Sequence, residues 1–152
     1  MKARIGVDAE SGLVHTVLGT AANVADMTQT AELLHGEEKT VYLDAGYTGV
    51  EKREELKDRD IDWQVAMKRS KLKAIPQENK LGPLLRQLEP VKASIRSRIE
   101  HPFDIMKNLF GRRKVRYKGL KTNTPRLHVL FGLANLVIAK RPFLALHSQG
   151  AS

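Results

Sequence analysis

Ala3, Ile5 and Val7 alternate with polar or small residues, a period of two that predicts a half-buried strand. The turn-rich Ala9-Glu10-Ser11-Gly12 then closes a hairpin onto residues 13–18. A helix is expected over 26–35, with Asp26 as its N-cap and Gly36 as its stop. Thr40-Val41-Tyr42-Leu43 reads as a short buried strand that runs into Asp44-Ala45-Gly46-Tyr47-Thr48-Gly49, where two glycines punctuate a turn. Residues 49–59 suggest a charged helix. Trp63, Val65 and Met67 alternate, which makes a strand and places Trp63 in the core. Residues 70–80 are polar and cationic and are expected to loop. A long helix follows from Gly82 to Phe110, weakened at Pro90 and Pro102, with the kink at Pro102 falling just past Glu100. The last helix takes Thr124 as N-cap and Pro125 as its first residue and runs to Lys140. Being apolar on most sides, it is expected to be buried against a sheet.

The predicted elements include both strands and helices. On the long helix, Arg96, Glu100 and Lys107 are spaced so that a carboxylate lies between two cations on one stripe: Glu100 is about 40° round from Arg96, and Lys107 roughly 20° back from Glu100. Ile95, Ile99, Phe103, Met106 and Phe110 form a neighbouring apolar stripe that can dock the helix. An ordinary i,i+4 ion pair on a solvated face is the plainer alternative. Asp44 gives the stripe a second meaning. It sits at the carboxyl end of a strand, the edge at which open α/β sheets bind ligands. Two carboxylates meeting there are hard oxygen donors suited to Mg²⁺ or Mn²⁺.

Charge then separates the chain into two parts. The 152 residues carry a net charge of +9, and 41% are hydrophobic, enough for the packed core of one domain. Residues 1–90 hold 13 Lys/Arg against 15 Asp/Glu, whereas residues 91–152 hold 13 against 2. This basic, helical third includes Arg112-Arg113-Lys114-Val115-Arg116-Tyr117-Lys118, five cations around one tyrosine. Such a run can grip nucleic-acid phosphates, with Tyr117 free to stack or to bond a phosphate. It carries no base-specific readout by itself. The absence of cysteine rules out disulfides and thiolate-bound zinc. The apolar run 129–139 is too short to span a bilayer, and no secretory signal opens the chain, so a cytoplasmic setting and no membrane partner are expected.

Tyr42-Leu43-Asp44-Ala45-Gly46-Tyr47-Thr48-Gly49, Arg96-x3-Glu100-x6-Lys107 and Glu100-His101-Pro102-Phe103 together resemble the DDE transposases of bacterial insertion sequences, family-five type. Residues 5–15 and 20–24 resemble the same family in the same order. The resemblance implies an RNase H-like fold, a mixed sheet flanked by helices, in one domain spanning 1–152. It implies cutting and rejoining of DNA phosphodiesters with Mg²⁺ or Mn²⁺. Asp44 and Glu100 would be metal ligands and catalytic carboxylates, while Arg96, Lys107, Arg112, Arg113, Lys114, Arg116, Tyr117 and Lys118 would contact DNA.

Two departures from the family pattern alter that expectation. Ala93 stands where the family signature has tyrosine. The family's first catalytic aspartate lies on a strand that would precede Met1, so the chain is expected to be a carboxyl-terminal part lacking the first, central strand. Open strand edges would favour self-association or pairing with a full-length transposase, and the chain alone is expected to be inactive. Two alternatives stay open: a non-catalytic DNA-binding or regulatory remnant, and a small metal-dependent nuclease in which Asp8 joins Asp44 and Glu100. A turn aspartate such as Asp8 more commonly serves its own backbone.

Overall fold

A computed structural model describes residues 1–76, 80–112, 114 and 119–149. The chain divides into two compact units, Met1–Val24 with Arg98–Ser152, and Ala25–Ser97.

In the first unit, β1 (Lys2–Val7) pairs antiparallel with β2 (Val14–Thr20), from Lys2↔Thr20 to Gly6↔Thr16, with an irregularity at Gly6/Val7. The expected hairpin is present, and its turn is built on Asp8. The carboxylate of Asp8 accepts from the backbone N–H groups of Glu10 (3.2 Å) and Ser11 (2.6 Å) and from the Ser11 hydroxyl (2.6 Å). Gly12 completes the turn at φ +73°, a conformation glycine adopts without a Cβ penalty.

The long helix α5 (Leu120–Gln149) crosses β2, starting earlier and ending later than the 124–140 expected. Thr124 and Pro125 therefore lie inside it. Leu127, Phe131 and Ala134 are buried on one face of α5, and the first two form a core with Ile5, Val14 and Met106. Phe103 meets Phe131 edge-to-face at 5.3 Å. Asn135 holds the strand as another strand would: its amide donates to the Val14 carbonyl and accepts from the Val14 N–H, both at 2.8 Å. The expectation that α5 is buried on most sides needs correction. Val129 is 63% and Leu136 68% exposed, because a two-stranded sheet is wide enough to cover only one stripe of the helix.

The expected helix from Gly82 to Phe110 is three pieces: α3 (Gly82–Ser97), α4 (Glu100–Asp104) and a π-helical turn, Ile105–Leu109. Pro102 explains the break. It has no N–H for the Arg98 carbonyl, so it falls in the first turn of α4, where a donor is not needed. Pro102 is fully buried. Pro90, by contrast, is accommodated inside α3.

In the second unit, β3 (Thr40–Leu43) and β4 (Asp62–Val65) pair in parallel, Thr40↔Asp62 to Leu43↔Val65. Trp63, on β4, is half-buried. α3 packs on β3, and Glu89 of α3 accepts the Met67 N–H at 3.0 Å just beyond β4. Residues 26–35 form a 3₁₀ turn, Asp26–Gln29, and then α1 (Thr30–Leu33); the N-cap position belongs to Ala25, not Asp26. Residues 49–59 form no α-helix; Val50–Lys52 is a single 3₁₀ turn. Val50 and Leu56, its two fully buried apolar residues, are six apart, which is not a helical stripe, and the segment winds through i→i−3 turns instead. Arg69–Lys73 forms the one-turn helix α2, which overlaps the start of the expected loop 70–80.

Candidate functional site

β3 ends at Leu43, which puts Asp44 at the carboxyl end of a parallel strand, capping the single 3₁₀ turn Ala45–Tyr47. One carboxylate oxygen accepts the Ala45 N–H at 2.7 Å and lies 3.3 Å from the Arg96 guanidinium. Arg96 arrives there because α3 packs on β3 and Arg96 occupies its last turn. The Asp44 side chain is 67% exposed and that of Arg96 31%, so the pair is solvated and its carboxylate is open to a ligand.

Glu100 is the exposed first residue of α4, and Lys107 is an exposed residue in the middle of the π-turn. The two lie in the first unit, Asp44 and Arg96 in the second. Arg96, Glu100 and Lys107 do not share one continuous α-helix. The break before Glu100 and the wider π-turn, in which the Phe110 N–H reaches the Ile105 carbonyl at 3.2 Å, replace the uniform 100° step on which the common stripe was based. π-turns occur disproportionately at functional sites. Ala93 and His101 are exposed.

Hard carboxylate oxygens are the right donors for Mg²⁺ or Mn²⁺. Among the described residues, however, no three His, Cys, Asp or Glu side chains are gathered as they would be to hold an ion. Asp8 is occupied by its own turn. The Ser11 hydroxyl above all, and then the Ser11 backbone N–H, hold its carboxyl below the usual range against a small opposing effect of burial. Those bonds favour the structural role over a metal role.

Of the basic run, Arg112 and Lys114 are described, while Arg113, Arg116, Tyr117 and Lys118 lie outside the described residues. The positive charge belongs to the first unit, which holds 13 Lys/Arg against 4 Asp/Glu; the second holds 13 of each. Sequence reasoning missed Asn123. This residue is 1% exposed in the first turns of α5, donates to the Gly119 carbonyl at 2.6 Å and accepts from Arg112 at 3.4 Å. One buried amide thus bonds residues at both ends of the basic run. A polar residue four positions after a glycine, at the head of an apolar helix, was the available signal.

No helix among the described residues is long and apolar enough to cross a membrane. The family model described as the transposase DDE domain matches residues 1–136. No solved structure matches the chain.

Proposed function

The chain belongs to the transposase DDE domain family, and from that premise we propose that it acts in DNA transposition, cutting and rejoining phosphodiesters at the ends of an insertion sequence. The observation that carries this reading is the family match over residues 1–136. It is supported by the concentration of cations in residues 91–152 and by an exposed carboxylate, Asp44, at a strand end beside Arg96. An RNase H-like fold for the family domain belongs to this proposal.

Asp44 and Glu100 would be the metal ligands, and Mg²⁺ or Mn²⁺, when bound, supplies Lewis-acid activation of the attacking oxygen and charge neutralisation. Arg96 balances Asp44 and is placed to hold a phosphate oxygen at the same strand end. Lys107 contributes a second phosphate contact. Arg112, Arg113, Lys114, Arg116, Tyr117 and Lys118 hold the DNA backbone and set its register without reading bases.

A second reading is favoured by the absence of a three-ligand cluster among the described residues: a non-catalytic, DNA-binding remnant that engages element ends. Strand-cleavage and filter-binding assays on the chain and on Asp44→Ala and Glu100→Ala, with and without full-length transposase, separate the two. Cleavage that depends on both carboxylates is the expected result. Binding that survives both substitutions without any cleavage assigns the remnant role, and cleavage retained by both variants refutes the catalytic assignment.

A further inference from the structure

Arg98 opens the two-residue break between α3 and α4, two positions before Glu100. Ordinary helix bonding lapses there. Pro102 has no N–H for the Arg98 carbonyl, and Ile99, at the N-cap of α4, makes no side-chain capping bond. The direction of Glu100 therefore depends on what holds the break. Ile99 packs against the core of the first unit. Arg98 crosses to the hairpin turn, where one guanidinium nitrogen, Nη1, donates to the backbone carbonyl of Ala9 and, at 2.8 Å, to that of Glu10.

An exposed arginine on two loop carbonyls is ordinarily incidental, but the construction of this turn gives the contact a purpose. One peptide unit joins the Ala9 carbonyl to the Glu10 N–H, and the next joins the Glu10 carbonyl to the Ser11 N–H. Those two N–H groups are the ones that the Asp8 carboxylate accepts. In a trans peptide the N–H and C=O point opposite ways. By drawing in both N–H groups, Asp8 turns both carbonyls outward, to Arg98. Each peptide unit is thus held between an anion and a cation, which strengthens its two hydrogen bonds together.

We propose that Arg98 is a positioning residue for Glu100, clamping the start of α4 to carbonyls that Asp8 has aimed at it. The inference rests on the assignment of Glu100 as a metal ligand above, and it gives Asp8 a part in that site without making it a ligand.

The test is Mn²⁺ titration of the full chain, read by the paramagnetic resonance of free Mn²⁺, for the wild type, Arg98→Ala, Asp8→Ala, the double variant and Glu100→Ala. Each of Arg98→Ala and Asp8→Ala is expected to weaken binding about 10-fold, the lower end of the cost of removing a group that orients a metal ligand. Charge alone would act differently, since losing a cation tightens Mn²⁺ binding and losing an anion weakens it. A common clamp makes both losses weaken it, with the double variant no worse than either single one. Arg98→Lys keeps the charge and several donors and should recover most of the affinity. Should Arg98→Ala fail to fold, Asp8→Ala carries the test through a second readout: without metal, it should shift the amide resonances of residues 99–101. Glu100-dependent binding that tightens in Arg98→Ala, or resonances of 99–101 that stay in place in Asp8→Ala, would overturn the positioning role and leave the metal assignment standing. Mn²⁺ binding indifferent to Glu100→Ala would overturn the metal assignment and the inference with it.

Discussion

Arg96→Ala should tighten metal binding at Asp44 while weakening DNA binding. The two oppositely charged groups are 3.3 Å apart, and the carboxylate is 67% exposed. At that exposure an ion pair is worth about 0.2–1 kcal/mol, because water screens it and two side chains must be held in place. A cation that binds Asp44 must displace or share this partner. Removing the guanidinium should therefore lower the Mn²⁺ dissociation constant by about 1.5- to 5-fold. The gain should shrink as salt rises and screens the pair. Calorimetric Mn²⁺ titrations of the wild-type chain, Arg96→Ala and Asp44→Ala at low and high salt provide the measurement, with a DNA-binding isotherm for each. Weaker Mn²⁺ binding by Arg96→Ala would refute the reasoning, since Arg96 would then be building the site and not competing for it. Unchanged Mn²⁺ binding by Asp44→Ala would remove Asp44 as a ligand altogether.

Asn135→Leu improves helix propensity by a few tenths of a kcal/mol but strands the N–H and C=O of Val14, a residue only 8% exposed; a net loss of about 2–4 kcal/mol is expected in urea unfolding, with faster exchange of the Val14 amide. Asp8→Ala should lower stability by about 0.5–1 kcal/mol at neutral pH, a modest figure because the turn is exposed. Since the folded carboxyl titrates below its ordinary 3.8, this contribution is complete above that value and fades as pH falls through the depressed one, so melts of the two proteins should converge in acid. Gly19→Ala would drive a Cβ into the Thr124 hydroxyl and within 2.9 Å of the Met1 methyl, and a loss of about 1–3 kcal/mol is expected from thermal melts.

Local patterns in this chain translated into structure wherever the deciding forces act between near neighbours. The period-two run at Ala3–Val7 became β1, Ser11 and Gly12 closed the turn on Asp8, and Thr40–Leu43 became the strand that delivers Asp44. Patterns that assumed regular continuation did worse. Residues 49–59 contain helix-forming amino acids, yet they lack the apolar stripe that holds a helix against a core. The 82–110 segment had the stripe but not the donor at Pro102, and the missing hydrogen bond together with the π-turn reset the directions of Glu100 and Lys107.

The sequence by itself determined the chemistry available: two candidate carboxylates on recognisable local frames, a charge surplus confined to residues 91–152, and a mixture of strand and helix patterns, all consequences of short-range sterics and composition. Tertiary structure decided which groups meet. Arg96 reached Asp44, 52 positions upstream, only because α3 packs on β3. Asn135, which looked like a lone polar residue in an apolar helix, became the partner of Val14 across 121 positions because α5 lies on the hairpin. Neither pairing leaves a periodic trace in the chain, since the residues are brought together by burial of other side chains and not by any pattern of their own.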